Sequence, residues 1–206
     1  MSLKSPPEFD EAFAGRLDFL LRWRRDVRHF RTERLPEGML EAFVARAALA
    51  PSVGNSQPWR FVRLADPARR AAVKAEFERC NAAALAGQDG ERAEHYSALK
   101  LAGMDRAPEH LAVFCDDGTL AGHGLGRATM PETLRYSAVG AVSALWLAAR
   151  AASAWVGFPS SSLRASPICA WAGLCVGWPE TDSNVPELER AGWQARDPRA
   201  TEILAR

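Results

Sequence analysis

Residues 131–152 constrain the fold of this chain more than any other segment. They form the longest stretch with a helical pattern, and they are rich in alanine and valine. A helix that is apolar around most of its circumference is buried rather than lying on the surface. Gly140 and Ser143 are small enough to let neighbouring elements approach this helix closely. We therefore predict a central helix, against which the rest of the chain packs.

Helices and short strands alternate in the rest of the pattern. We predict four further helices, at 9–22, from Leu35-Pro36 to about 48, at 67–86 and at 91–104. Strands are predicted at 61–64, 111–115, 154–158 and 170–177. This order predicts an α/β or α+β fold with many helices around a small sheet. We expect one domain over residues 1–206, with a polar C-terminal arm from about 179 to 206.

Charge and composition exclude several classes of function. The chain has 26 Lys+Arg and 25 Asp+Glu, a net charge of +1, which argues against general nucleic-acid binding. No apolar run approaches the roughly 18 residues of a membrane span, and the N-terminus is too polar and acidic for a signal peptide. The four cysteines form no CxxC pair and no zinc spacing, so we expect no metal site. We predict a cytoplasmic protein without a nucleic-acid or membrane partner.

The segment RWRRDVR at 22–28 concentrates four arginines in seven residues. Guanidinium groups bind phosphate through two parallel hydrogen bonds and remain charged at any useful pH. If 24–28 is extended, the side chains of Arg24, Asp26 and Arg28 point to the same side. The sequence is equally compatible with a solvated basic patch, and composition alone leaves both interpretations open.

The segment PSVGNSQPW at 51–59 predicts a structured turn between a helix and a strand. Gly54 permits a positive φ or a close backbone approach. Ser52, Asn55 and Gln57 offer donors and acceptors that could meet the polar edge of a planar ring. A plain capping loop remains the alternative.

A long glycine-containing loop is predicted at 116–131, and long ordered loops are often functional. Its GHGLG run at 122–126 lacks the GxGxxG register of a dinucleotide-binding fingerprint and does not lead straight into a helix. We interpret the seven tryptophans of the chain as packing residues for the most part.

Taken together, these segments resemble the BluB family within the nitroreductase-like flavoproteins. The matching stretches are RRDVRHF at 24–30, LAPSVGNSQPWRFVRL at 49–64, YSALKLAGMDRAPEHLAVFCD at 96–116, YSAVGAVSALWLAARA at 136–151 and PELERAGWQAR at 186–196. The resemblance extends from about residue 16 to 196. It implies a nitroreductase-like fold: a homodimer with a mixed sheet surrounded by helices and two flavin sites at the subunit interface.

The resemblance also implies an unusual reaction, 5,6-dimethylbenzimidazole synthesis for the lower ligand of cobalamin. Reduced FMN (FMNH2) would be the substrate and O2 the co-substrate, and the isoalloxazine would be fragmented. NAD(P)H would act only indirectly, through a separate flavin reductase. Two alternatives stay open: an FMN-dependent NAD(P)H nitro- or quinone reductase, and a catalytically inactive flavin-binding relative.

Site residues are implied by matching this chain to the family motifs position by position. The arginines Arg24, Arg25 and Arg28 would hold the FMN phosphate and ring edge. Asp26 would be the active-site aspartate, which orients or deprotonates near the ribityl chain and ring. The turn residues expected along the isoalloxazine are Pro51, Ser52 and Val53.

The later part of the chain supplies the other implied residues. Leu99 falls in a segment that resembles a lid which excludes water. Gly157 and Ser160 align with a backbone-contact glycine and an active-site serine, with Ser161 and Ser162 as alternatives for the latter. Arg196 is a possible additional phosphate contact. The chain departs from the family pattern at 153–169, and this departure motivates the inactive alternative.

Overall fold

The computed structural model describes residues 7–86, 103–157, 164–165, 169–190, 192, 194–197 and 200. The helices are α1 Glu11–Trp23, α2 Met39–Ala47, α3 Pro67–Ala86, α4 Gly103–Arg106, α5 Thr133–Ala151 and α6 Glu187–Arg190. The strands are β1 Trp59–Arg63, β2 Glu109–Cys115, β3 Trp155–Gly157, β4 Arg164–Ala165 and β5 Cys169–Gly177. Two short 3₁₀ helices, Val53–Asn55 and Ala121–Gly124, lie in the turn and the long loop.

The strands form one sheet in the order β1-β2-β5-β3, with β4 paired to β5. These strand pairs are antiparallel, and an isolated bridge between Asp26 and Val156 adds a parallel contact at the β3 side. Six of the seven β2 residues are buried, as expected for an apolar strand covered on both faces. The predicted small sheet among helices is confirmed.

Helix α5 lies at the centre of the main core, as its composition predicts. It packs against α2, where Phe43 is almost completely buried, and against the sheet, where Val113 and Leu174 are buried. Leu145 and Ala149 of α5 are fully buried. Burying a side chain as large as that of Leu145 stabilises the fold by about 1.5–3 kcal/mol relative to leaving it exposed.

Two predicted helix starts have different outcomes. For α3, Asp66 precedes Pro67 and its carboxylate accepts a hydrogen bond from Ala68 N–H at 2.9 Å, which confirms the predicted cap. For α2, the predicted start at Pro36 is wrong. The helix begins at Met39, because Glu37 and Gly38 form a turn in which Gly38 has a left-handed φ of 76°.

The outer elements differ from the core in exposure. Helix α1 forms as predicted but buries none of its residues, and Phe13 and Leu17 are both 40% exposed. Of the predicted helix at 91–104, only the end that belongs to α4 lies within the described residues. The arm begins beside residues 29–31, where Glu180 N–H donates to the carbonyl of His29 at 3.0 Å. Within the described part of the chain, no helix has the length and apolar character needed to cross a membrane.

Candidate functional site

The arginine-rich segment leaves α1 with extended backbone at Arg24, the conformation for which the sequence places Arg24, Asp26 and Arg28 on one side. Arg24 ends the helix with φ −71° and ψ 114°, and Asp26 then forms a parallel bridge with Val156 of β3. A Cβ at Gly157 would lie 1.9 Å from the carbonyl oxygen of Val27, so only glycine allows this approach. Gly157 thus fixes the arginine segment against the end of the sheet.

Arg28 is the most deeply buried charged group of this segment. Its side chain is 5% exposed, and its Nε lies 3.7 Å from Oδ2 of Asp26. Neither Nε nor Nη1 of Arg28 has a hydrogen-bond partner among the described residues. Buried donors of a charged group are costly to leave unsatisfied, so the partner of these nitrogen atoms is expected outside the described residues.

Three further arginines, Arg24, Arg25 and Arg196, form a group of positive charges near Asp26. The Arg24 guanidinium stacks over the Trp146 ring at 4.5 Å, and Trp146 Nε1 donates to the carbonyl of Arg25 at 3.0 Å. Burial lowers the pKa of both Arg24 and Arg25, and repulsion by the nearby charge of Arg196 lowers it further. The structure therefore brings Arg196, which is distant in sequence, to the amino-terminal arginines.

Arg150, in the last turn of α5, was missed by the sequence analysis. Its guanidinium stacks over Trp155 at 4.5 Å and lies 5.9 Å from the ring of Trp23. Its Nε is buried without a hydrogen-bond partner among the described residues. The available signal was its spacing: Trp146 and Arg150 lie four residues apart on a helix and so share one face.

The predicted turn at 51–57 is ordered by hydrogen bonds to its neighbours. Val53 N–H donates to Oγ of Ser137 on α5 at 3.1 Å, and Gln57 N–H donates to Oγ of Ser52 at 3.0 Å. Asn55 and Gln57 have φ values of 54° and 45°, which glycine adopts more readily. Pro51 is exposed, and Ser52 and Val53 are half-buried, so this turn presents a surface to solvent.

The arginine cluster and the turn contact different ends of α5. Ser137 near its start contacts the turn, whereas Trp146 near its end contacts the arginine segment. Nine residues of helix separate these contacts by about 14 Å. Leu99 and Ser160, with the alternatives Ser161 and Ser162, lie outside the described residues.

A buried polar pair, His110 and Cys175, lies close enough to Asp26 for its charge to act on Cys175. The two residues are direct partners across the β2–β5 ladder, and both are at most 4% exposed. Burial is the main cause that lowers the pKa of His110 to about 4 and raises that of Cys175 to about 12. The pair therefore stays neutral near pH 7. Among the described residues, no group of three His, Cys, Asp or Glu side chains could hold a metal ion.

Comparisons with known proteins agree with this fold. The sequence profile described as "Nitroreductase family" matches residues 21–174. A 5,6-dimethylbenzimidazole synthase from Rhodospirillum rubrum is 53% identical over 95% of this chain and 97% of its own length. Another from Rhodobacter capsulatus is 46% identical over 92% of this chain and 96% of its own length.

Solved structures show the same fold at low sequence identity. An iodotyrosine deiodinase bound to FMN and 3-iodo-L-tyrosine has a TM-score of 0.66 at 22% identity, covering 92% of this chain and 97% of that one. A BluB-like flavoprotein from Clostridium difficile has a TM-score of 0.63 at 15% identity, covering 92% and 99% of the two chains.

Proposed function

Since the chain belongs to the nitroreductase family, we propose that it is a 5,6-dimethylbenzimidazole synthase that uses reduced FMN as its substrate. The observation that carries this proposal is the 53% identity to the Rhodospirillum rubrum synthase across almost the full length of both proteins. When bound, reduced FMN would supply both the electrons that reduce O2 and the ring atoms that become the product. NAD(P)H would be used by a separate flavin reductase that replenishes reduced FMN.

The arginine cluster fits the phosphate of FMN. Arg28 offers two buried N–H groups that are unsatisfied among the described residues, and a phosphate provides strong acceptors for them. Arg24, Arg25 and Arg196 add positive charge close to Asp26, the neighbour of Arg28. We assign the FMN phosphate and the adjacent ring edge to these four arginines.

Asp26 is the proposed catalytic residue of the described chain. Its carboxylate lies 3.7 Å from Arg28 and is 28% exposed, so it is open to a ligand held by the arginine. A carboxylate there can accept a hydrogen bond from a ligand hydroxyl or take a proton from the bound flavin. Ser160 is proposed as the second catalytic residue on the basis of the family resemblance.

The flavin ring is assigned to the turn and to its surroundings. Pro51, Ser52 and Val53 present the surface on which the isoalloxazine would lie, because their side chains remain partly or wholly exposed. Gly157 would offer backbone contact beside the arginine segment. Leu99 is proposed to belong to a lid that excludes water from the reaction.

A homodimer is proposed because the site clusters are separated within one chain. Tyr136 and Val139, which lie three residues apart on α5, are 61% and 62% exposed and form an apolar strip. A two-fold axis across this strip would set the α5 helices of two subunits antiparallel. The family resemblance implies that each flavin site would then be completed by both subunits.

The protein is expected to act in the cytoplasm. Cys175 is buried and is a free thiol, as is usual in a reducing compartment.

The decisive experiment supplies purified protein with FMN, a flavin reductase, NADPH and air. The proposal predicts 5,6-dimethylbenzimidazole, identified by mass spectrometry, together with loss of FMN. Turnover of NAD(P)H with a nitroaromatic compound and full recovery of FMN would indicate the reductase alternative. FMN binding without consumption or turnover would indicate an inactive flavin-binding protein.

A further inference from the structure

We propose that Gly126, in the long loop at 116–131, is a positioning residue that sets the place of the Val53 side chain beside the flavin. This inference rests on the proposed function, in which the turn at 51–53 lies along the isoalloxazine. Gly126 belongs to the GHGLG run at 122–126, to which the proposed function assigns no other role.

Gly126 and Val53 are in direct steric contact. A Cβ at Gly126 would lie 2.7 Å from Cγ2 of Val53, closer than carbon atoms of real side chains approach. Glycine at this position thus leaves room for the Val53 side chain.

The two loops also meet backbone to backbone. A Cβ at Gly54 would lie 2.8 Å from the carbonyl oxygen of Gly122, and a Cβ at Gly122 would lie 2.7 Å from that of Gly54. The loop at 116–131 is therefore packed directly on the turn, and displacement of one must move the other.

Val53 has little freedom to avoid a new atom at position 126. Its N–H is held by Oγ of Ser137, and that hydroxyl donates to the carbonyl of Thr133 at 2.8 Å. The β-branched side chain of Val53 has few χ1 rotamers, so it cannot rotate away from a methyl group at position 126. The new methyl group therefore displaces the valine methyls. The displaced methyls would move toward the surface assigned to the flavin ring.

The chain contains a matched control two residues away. Gly124 has a φ of 75° and no atom within 4 Å of its Cβ position, whereas Gly126 has a φ of 72° and contacts Val53. Alanine at either position therefore carries similar backbone strain, and only alanine at 126 meets Val53. A difference between Gly126→Ala and Gly124→Ala isolates the contact.

The test measures the Kd of oxidised FMN by flavin fluorescence, and the visible spectrum of the bound flavin, with full-length protein. We expect Gly126→Ala to raise the Kd about fivefold or more and to shift the spectrum, while Gly124→Ala resembles the wild type. In the double variant Gly126→Ala/Val53→Ala, the Kd should return to that of Val53→Ala alone. Equal Kd values and spectra for the two single glycine variants would overturn the proposal.

Thermal unfolding without flavin separates the remaining outcomes. If Gly126→Ala fails to fold, the double variant should fold and bind FMN, because the clashing methyls are gone; failure of both would overturn the proposal. If the wild type binds no FMN, the proposed function fails. In that case Tm values alone test the contact. A Tm that is lowered in Gly126→Ala and restored in the double variant with Val53→Ala supports it. A Tm that stays lowered in the double variant overturns it.

Discussion

Nε of Arg28 lies 3.7 Å from Oδ2 of Asp26, at a place where the arginine is 5% exposed. The distance is longer than a hydrogen bond, and two buried nitrogen atoms of Arg28 are unsatisfied among the described residues. A group arranged only for stability would have these donors paired. The proposed function accounts for these donors by placing the FMN phosphate against them.

Arg28→Met should separate ligand binding from stability. Hydrogen bonds to charged groups contribute about 1.5–3 kcal/mol each, so the loss should weaken FMN binding at least about tenfold. The free energy of unfolding without ligand should not fall, because an incompletely paired buried charge is replaced by an apolar side chain. Isothermal titration and urea unfolding measure the two effects.

The control for that variant is Arg46→Met, on the exposed side of α2. It should leave FMN affinity unchanged. A fall of several kcal/mol in the stability of Arg28→Met, with unchanged FMN affinity, would assign Arg28 a structural role instead.

Asp26→Asn should abolish catalysis with little effect on binding. Loss of a positioned acid–base group typically lowers a rate by about 10²–10⁴, and product formation should fall within that range. The Kd of FMN should change by less than about threefold, because arginines hold the phosphate. Asp18→Asn, on the exposed side of α1, is the matched control. Retention of wild-type product formation by Asp26→Asn would remove this aspartate from the mechanism.

Gly157→Ala should destabilise the fold and disrupt the arginine segment together. The new Cβ would lie 1.9 Å from the carbonyl of Val27, so the segment must move away from β3. Overpacking of this kind costs about 1–3 kcal/mol or more, measurable by urea unfolding, and FMN affinity should fall as well. Gly118→Ala, whose Cβ would lie 3.6 Å from the nearest atom, should do neither. A Gly157→Ala protein with wild-type stability and FMN affinity would disprove this close approach.

Stability should decrease in mildly acidic solution because of His110. Its pKa is about 4 in the folded protein against 6.5 for an unperturbed histidine, so the unfolded state binds the extra proton between these values. The free energy of unfolding should therefore fall as the pH decreases from about 6.5 to about 4, by up to roughly 3 kcal/mol in total. Urea unfolding at several pH values measures this loss.

His110→Gln should reduce the slope of stability against pH in that window. An equal slope in His110→Gln and the wild type would show that another group causes the loss.

The parts of the fold predicted from sequence are those governed by local patterns. The apolar run of β2, the cap at Asp66 and the alanine-rich α5 all carry their signal within a few consecutive residues. For the arginine segment, alternation predicts that Arg24, Asp26 and Arg28 share one side if the segment is extended, and the structure places Asp26 beside Arg28.

The rest depends on contacts between residues that are distant in sequence. The approach of Arg196 to Arg24, and the packing of Gly126 on Val53, arise only when the chain has folded. Arg150 and Trp155 are only five residues apart, but their contact forms only when the chain turns from α5 into β3, and the spacing of Arg150 from Trp146 was overlooked. For the same reason, the structural role of Gly157 against Val27 was not predictable from its neighbours.

The most direct test of the central claim follows the carbon atoms of FMN. The protein is supplied with FMN labelled with ¹³C in its dimethylbenzene ring, together with a flavin reductase, NADPH and air. The proposed reaction predicts labelled 5,6-dimethylbenzimidazole in an amount equal to the FMN lost. Complete recovery of labelled FMN, with NADPH oxidised and no labelled product, would contradict the claim that the flavin is the substrate.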